Sequence, residues 1–247
     1  MRGDAARLRH DLICSLTEPL RSGRYYGAET ISDPKGVNPM MTDSSVYVLF
    51  ADGFEEIEAV TPVDILRRME LDVVLVGVTG KQVRGAHGME LTMDRTLNQL
   101  KNQTPAAVIL PGGMPGTRNL DATRPVGELV CRTAEAGGVV GAICAAPMVI
   151  GRLGLLRGRR ATCFPGFEEH LLGAEKVSDR VVTDGRFVTA AGAGVAADFA
   201  FAVGTLLKDS VSAAFVRRSM QFPDCLCKIC RPTARYPGGR PSALYWV

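Results

Sequence analysis

Three uninterrupted apolar runs, "SVYVLFA" (45–51), "AAVILP" (106–111) and "VVGAI" (139–143), most constrain how this chain can fold. A run of β-branched and apolar residues without polar alternation suits a strand covered on both faces. Segments of helical character separate the runs. "EEIEAVTPVDILRRM" carries Ile57, Val60, Val63 or Asp64, and Arg67 at helical spacing, with Pro62 expected to mark a kink or an early turn. "VGELVCRTAEAG" reads as a helix closed by Gly137 and Gly138. "DVVLVGV" and "RFVTAAG" add strands, and "AAPMVIGRLGLL" and "VAADFAFAVGTLLKDSVSAAFVRRSM" add helices. Such alternation predicts an α/β domain with a mostly parallel sheet and helices on both faces. Its ligands then bind beyond the carboxyl ends of the strands.

The domain is expected over residues 44–220. Residues 1–43 lack sustained periodicity and read as a weakly ordered extension, with Met40 or Met41 as the expected start. Residues 221–247 read as a tail rich in Pro and Arg, and it holds Cys225, Cys227 and Cys230. Three thiols in "CLCKIC" fall short of a zinc site because a fourth ligand at normal spacing is missing. No metal and no cofactor are expected.

A net charge of +3 on 247 residues is too slight to imply a nucleic-acid or membrane partner. No segment approaches the roughly 18 apolar residues of a membrane span. Seven scattered cysteines, an odd number with no secretory leader before them, suit thiols kept reduced, hence a cytoplasmic location.

Three strand ends meet on one edge of such a sheet: "DGFEEIE" (52–58), "GGMPGTRNL" (112–120) and Cys144. A thiol at a strand-to-helix turn lies near unpaired helix N–H groups, which favour thiolate. A small buried apolar filler is the competing reading of Cys144, and Cys131 and Cys163 read as core. Glu55 and Glu56 fit solvated charges at a helix start. Glu58, a turn further on among Ile57, Ala59 and Val60, would be partly buried with a raised pKa, able to donate to a sulfur and to shuttle a proton. The glycine-rich turn could direct the N–H of Gly113, with that of Ala145, at a developing oxyanion. It lacks the spacing of a dinucleotide or P-loop motif.

Together "FADGFEEIEAVTPVDILRR", "VILPGGMPGTRNL" and "GAICAAPMVIGRLGLL" resemble the ThiJ/PfpI superfamily, in its parkinsonism-associated deglycase and glyoxalase branch. "RATCFPGFEEHL", "DGRFVTAAGAG" and "DFAFAVGTLL" fit the same family, so the resemblance covers about residues 45–218. It implies a flavodoxin-like sandwich that forms homodimers, with Cys144 as nucleophile, Glu58 as its protonated partner, and Gly113 and Ala145 as amide donors. The substrate implied is a small reactive carbonyl such as methylglyoxal, or its early adducts. A redox-sensing, chaperone-like role for the same cysteine is the alternative.

Two departures stand out. Phe164, in "TCFPGF", occupies a position where some relatives carry histidine. His87, read as following a strand pair, is the other candidate near the pocket, with an exposed turn histidine as its competing and favoured reading, whereas His10 lies in the extension and His170 on a downstream helix face. A protease-like Cys–His pair is therefore not expected. The usual "GPGT" loop is here Gly192-Ala193-Gly194-Val195, which removes a hydroxyl.

Overall fold

A computed structural model describes residues 42–100 and 102–223. The readings of residues 1–41 and of the tail cysteines lie outside the described residues. Seven strands form the central sheet: β1 (Thr42–Phe50), β2 (Val73–Gly77), β5 (Arg95–Thr96), β6 (Thr104–Leu110), β7 (Val139–Ile143), β10 (Val181–Asp184) and β11 (Phe187–Ala190), in the order β10-β11-β7-β6-β1-β2-β5. Outside it lie two short pairs, β3 (Gln82–Arg84) with β4 (Glu90–Thr92) and β8 (Arg160–Ala161) with β9 (Glu175–Lys176). Every neighbouring pair is parallel except β10 with β11. The sheet is the mostly parallel one the alternation predicts.

Side chains alternate along each buried strand and divide the core in two. Tyr47, Leu49, Val108, Leu110, Val140 and Ala142 face a layer from α2 (Gly116–Ala122), α3 (Arg124–Glu135) and α4 (Pro147–Arg152). Val46, Val48, Phe50, Ala107, Ile109, Val139 and Ile143 face α1 (Glu56–Arg68) and α5 (Ala196–Leu207). The sheet is covered on both faces, which explains why its strands read as continuous apolar runs.

Three local expectations change. Helix α1 runs without a break through Pro62 and buries Glu58, Ala59, Pro62, Val63, Ile65 and Leu66, leaving Ile57 and Val60 exposed. The helix after Cys144 is only Pro147–Arg152, and residues 153–158 form turns with Gly154 and Gly158 at positive φ. The long late helix is two, α5 and α6 (Ser210–Ser219), because the Asp209 side chain accepts from the Ser212 N–H at 2.7 Å and caps a new start.

Register brings the site together. Ala190 lies beside Ile143, Ala142 beside Leu110, and Ile109 beside Val48. The carboxyl ends of β1, β6, β7 and β11 are therefore level, and the loops that follow them converge on one edge. No helix among the described residues is long and apolar enough to cross a membrane.

Candidate functional site

By strand alternation, residue 144 should follow Ala142 onto the α2–α4 face. Instead Cys144 takes a φ of +63° and packs beside the α1–α5 cluster. This left-handed conformation is uncommon for a side chain with a Cβ. It is clamped on both sides, by the Cys144 N–H donating to the Ala190 carbonyl at 2.8 Å and the Phe164 N–H donating to the Cys144 carbonyl at 2.8 Å. The reversed backbone turns the sulfur toward α1.

There it meets Glu58, only 1% exposed, whose carboxyl hydrogen-bonds the sulfur. Main-chain N–H groups of Gly112, at 3.0 Å from Oε2, and of Ala193 also donate to Glu58. The Glu58 N–H in turn donates to Glu55 Oε2 at 2.7 Å, so Glu55 is the N-cap of α1.

Burial pushes the Glu58 carboxyl up to about 7, against the pull of its hydrogen bonds. Burial, then the nearby Glu58 charge, pushes the Cys144 thiol up to about 12. Burial thus opposes the charged form of both groups, and they titrate as a coupled pair. It also opposes the standing thiolate that the sequence leads one to expect, against which α4, with six residues, sets only a short dipole. Cys144 has a carboxyl in contact that can exchange a proton with it.

Gly113 and Ala145 fall where the sequence places them, and both N–H groups donate to the Cys144 sulfur. Gly113 has a φ of +89°, and a Cβ there would lie 2.4 Å from the Glu55 nitrogen. Gly112, which sequence reasoning passes over, is equally constrained. Its Cβ would stand 2.4 Å from Glu58 Oε2 and 2.6 Å from Cys144 Cβ, wedging the pair apart. The consecutive glycines were the available signal. For the Ala193 contact there was none, since it depends on β11 ending level with β7.

Phe164 borders the pair, and Gly192 fills the gap between them: a Cβ on Gly192 would be 3.4 Å from the Phe164 ring and 3.8 Å from Glu58 Oε1. His87 is bound elsewhere. It sits between the two strands of a hairpin, β3 (Gln82–Arg84) and β4 (Glu90–Thr92), not after them. Its Nδ1 lies 2.7 Å from Glu56 Oε2, and its main-chain N–H donates to Glu56 Oε1 at 2.7 Å. Glu56 is accordingly buried rather than solvated. Among the described residues Glu55, Glu56 and His87 have metal-ligand spacing, but these hydrogen bonds already engage both carboxylates. Cys131 and Cys163 are buried, as expected. A cleft of about 330 Å³ beyond Phe164, lined by Thr162, Cys163, Pro165, Lys176, Arg180 and Ala191 among others, does not include Cys144 or Glu58.

The arrangement can therefore deprotonate a thiol as it attacks, and can hold negative charge on two amides. The sequence profile of the DJ-1/PfpI family matches residues 44–206. Protein DJ-1 homolog B of Arabidopsis thaliana is 36% identical over 168 residues, covering 66% of this chain and 38% of that protein, so the match spans well under half of that relative. A Caenorhabditis elegans protein named glutathione-independent glyoxalase DJR-1.2 is 32% identical over 187 residues, covering 75% and 97%. The crystal structure of Drosophila melanogaster DJ-1beta superposes with a TM-score of 0.70 at 30% identity, covering 74% of this chain and 100% of that one.

Proposed function

The chain belongs to the DJ-1/PfpI family, and from that premise we propose that it is a cysteine-dependent, cofactor-independent glyoxalase or deglycase acting on methylglyoxal-type dicarbonyls or their early adducts. One observation carries the reading: a buried carboxyl, raised to about 7, bonded to a thiol at a reversed turn. A carboxyl with that pKa is both acid and base near neutrality.

In the proposed sequence, the Cys144 sulfur attacks the aldehyde carbon of methylglyoxal while Glu58 takes the thiol proton. The carbonyl oxygen becomes an alkoxide held by the Gly113 and Ala145 amides and takes that proton from Glu58, which is a carboxylate again. Glu58 then removes the proton from the former aldehyde carbon, the hydroxyl proton on that carbon passes to the ketone oxygen, and Glu58 returns its proton to the neighbouring carbon. The result is a lactoyl thioester, which water hydrolyses to lactate and free thiol. The sum is one dicarbonyl plus one water giving one hydroxyacid, with no external redox partner. Attack on the early adducts of thiols and amines with the same dicarbonyl, releasing the thiol or amine, would be deglycation. The named activity of the Caenorhabditis relative supports this class of chemistry.

The test is lactate formation from methylglyoxal without glutathione. Cys144→Ser is expected to abolish it, and Glu58→Gln to lower kcat by about 10²–10⁴-fold. Undiminished turnover in Cys144→Ser would reject the mechanism.

A second reading has its own observation: Cys144 is partly exposed while Cys131 and Cys163 are buried. Hydrogen peroxide could convert the sulfur to a sulfinic acid that accepts a hydrogen bond from protonated Glu58. Thiolate is the form that peroxide oxidises, so a thiol raised to about 12 makes this the weaker reading. Mass spectrometry after mild peroxide should find two added oxygens on Cys144 before any other cysteine; oxidation spread evenly would remove the sensor role.

A further inference from the structure

Phe164 is 47% exposed, yet its main chain is tied to the reactive pair and its ring lies near it. Its N–H donates to the Cys144 carbonyl, and its ring edge and Glu58 Oε1 both lie within 4 Å of one point beside Gly192. Behind it the ring meets Phe167 edge-on, with centroids 6.5 Å apart and planes at 76°, and Phe167 meets the His170 ring at 6.1 Å. A half-exposed aromatic supported from behind is a rigid ledge rather than a loose surface side chain.

The neighbouring loop supplies little polarity. Gly192 has no side chain, Val195 is buried hydrocarbon, and the Ala193 N–H is committed to Glu58. A substrate whose carbonyl rests on the Gly113 and Ala145 amides therefore has an aromatic ring edge, and no side-chain hydroxyl from this loop, to receive its remaining substituent on that side.

We propose that Phe164 is a specificity-determining residue, and that its ledge selects α-oxoaldehydes bearing an aryl group over those bearing methyl. The proposal rests on the carbonyl chemistry assigned above. Offset or edge-on packing of the two rings rewards the aryl substrate. A phenyl group also removes more apolar area from water than a methyl group does.

The test compares phenylglyoxal with methylglyoxal, reading mandelate and lactate without glutathione, for wild type, Phe164→Ala and Phe164→Tyr. Wild type is expected to favour phenylglyoxal about tenfold in kcat/KM, which corresponds to about 1.4 kcal/mol. Phe164→Ala should lower that ratio about tenfold through KM, and Phe164→Tyr should restore it. A ratio unchanged in Phe164→Ala, or an equal fall on both substrates, overturns the proposal.

A second arm is independent of turnover. Cys144 is alkylated with phenacyl bromide and with bromoacetone, each rate divided by that reagent's rate with N-acetylcysteine. The sulfur displaces bromide and its proton passes to Glu58 or solvent. A corrected preference for the aryl reagent in wild type, lost in Phe164→Ala, supports the ledge. Should this preference persist while no hydroxyacid forms from either dicarbonyl, the proposed activity fails and the ledge stands. Absence of any aryl preference in wild type in this arm overturns the ledge itself.

Discussion

Cys144 and Glu58 divide the work of the site by burial rather than by charge. A non-glycine residue at a φ of +63° costs on the order of 1–3 kcal/mol, and two main-chain hydrogen bonds hold it there. The return is position: the sulfur leaves the face that strand alternation assigns to it and meets a carboxyl from the first turn of α1, 86 residues earlier. Glu58 also makes stability depend on pH. Its carboxyl ionises near 4.5 in the unfolded chain and about 7 in the fold, so between those values the native state holds a proton that the unfolded state has released. Stability must therefore fall as pH rises through that window, by about 1.4 kcal/mol per pH unit and about 3 kcal/mol in all. Glu58→Gln cannot ionise and should lose this slope. Urea denaturation at pH 5 and pH 8 should show the variant gaining about 3 kcal/mol on wild type between the two; parallel pH dependences would contradict the buried proton.

At the scale of elements, α1 joins the reactive pair to the rest of the surface. Its first turn carries Glu58 inward, and Glu56 sideways to the β3–β4 hairpin. Burial would raise the Glu56 carboxyl, yet the His87 ring and main chain hold it below the usual range. The same turns leave Ile57 55% and Val60 40% exposed, with Met89 of the hairpin 53% exposed. Glu56 accepts main-chain hydrogen bonds from both His87 and Met89, which ties the hairpin to the first turn of α1. Exposed large apolar residues can mark association, so we propose this face as the contact of the homodimer that the sequence leads one to expect. Val60→Glu would put a charge in the middle of that contact. Analytical ultracentrifugation at micromolar concentration should then show a dimer for wild type and a monomer for the variant, with helical circular dichroism retained. A dimeric variant or a monomeric wild type would refute the assignment.

At the scale of the whole molecule, the fold was legible because its strands are covered on both faces. "SVYVLFA", "AAVILP" and "VVGAI" have no polar side to present, and that excludes most arrangements other than a sheet between two helical layers. That Cys144, Glu58, Gly113 and Ala145 come together was legible too, because each lies close behind a strand end and a parallel sheet puts its strand ends on one edge; their roles in chemistry are the proposal made above. Glu56 could not be read this way, nor could Gly112 and the Ala193 amide. Their roles depend on close approach between segments far apart in sequence, such as His87 N–H to Glu56 Oε1 at 2.7 Å and Gly112 N–H to Glu58 Oε2 at 3.0 Å. The burial that opposes a thiolate at Cys144 was hidden for a related reason: a local sequence shows a helix start beside a cysteine, but not how much water the finished site excludes. Pattern and residue type are local, so the chain alone determined its layers, its topology and the chemistry available at each strand end. Burial and close approach belong to the assembled whole, so only the tertiary structure decided that Cys144 leaves its strand face to meet a buried Glu58 and that Glu56 is tied to His87.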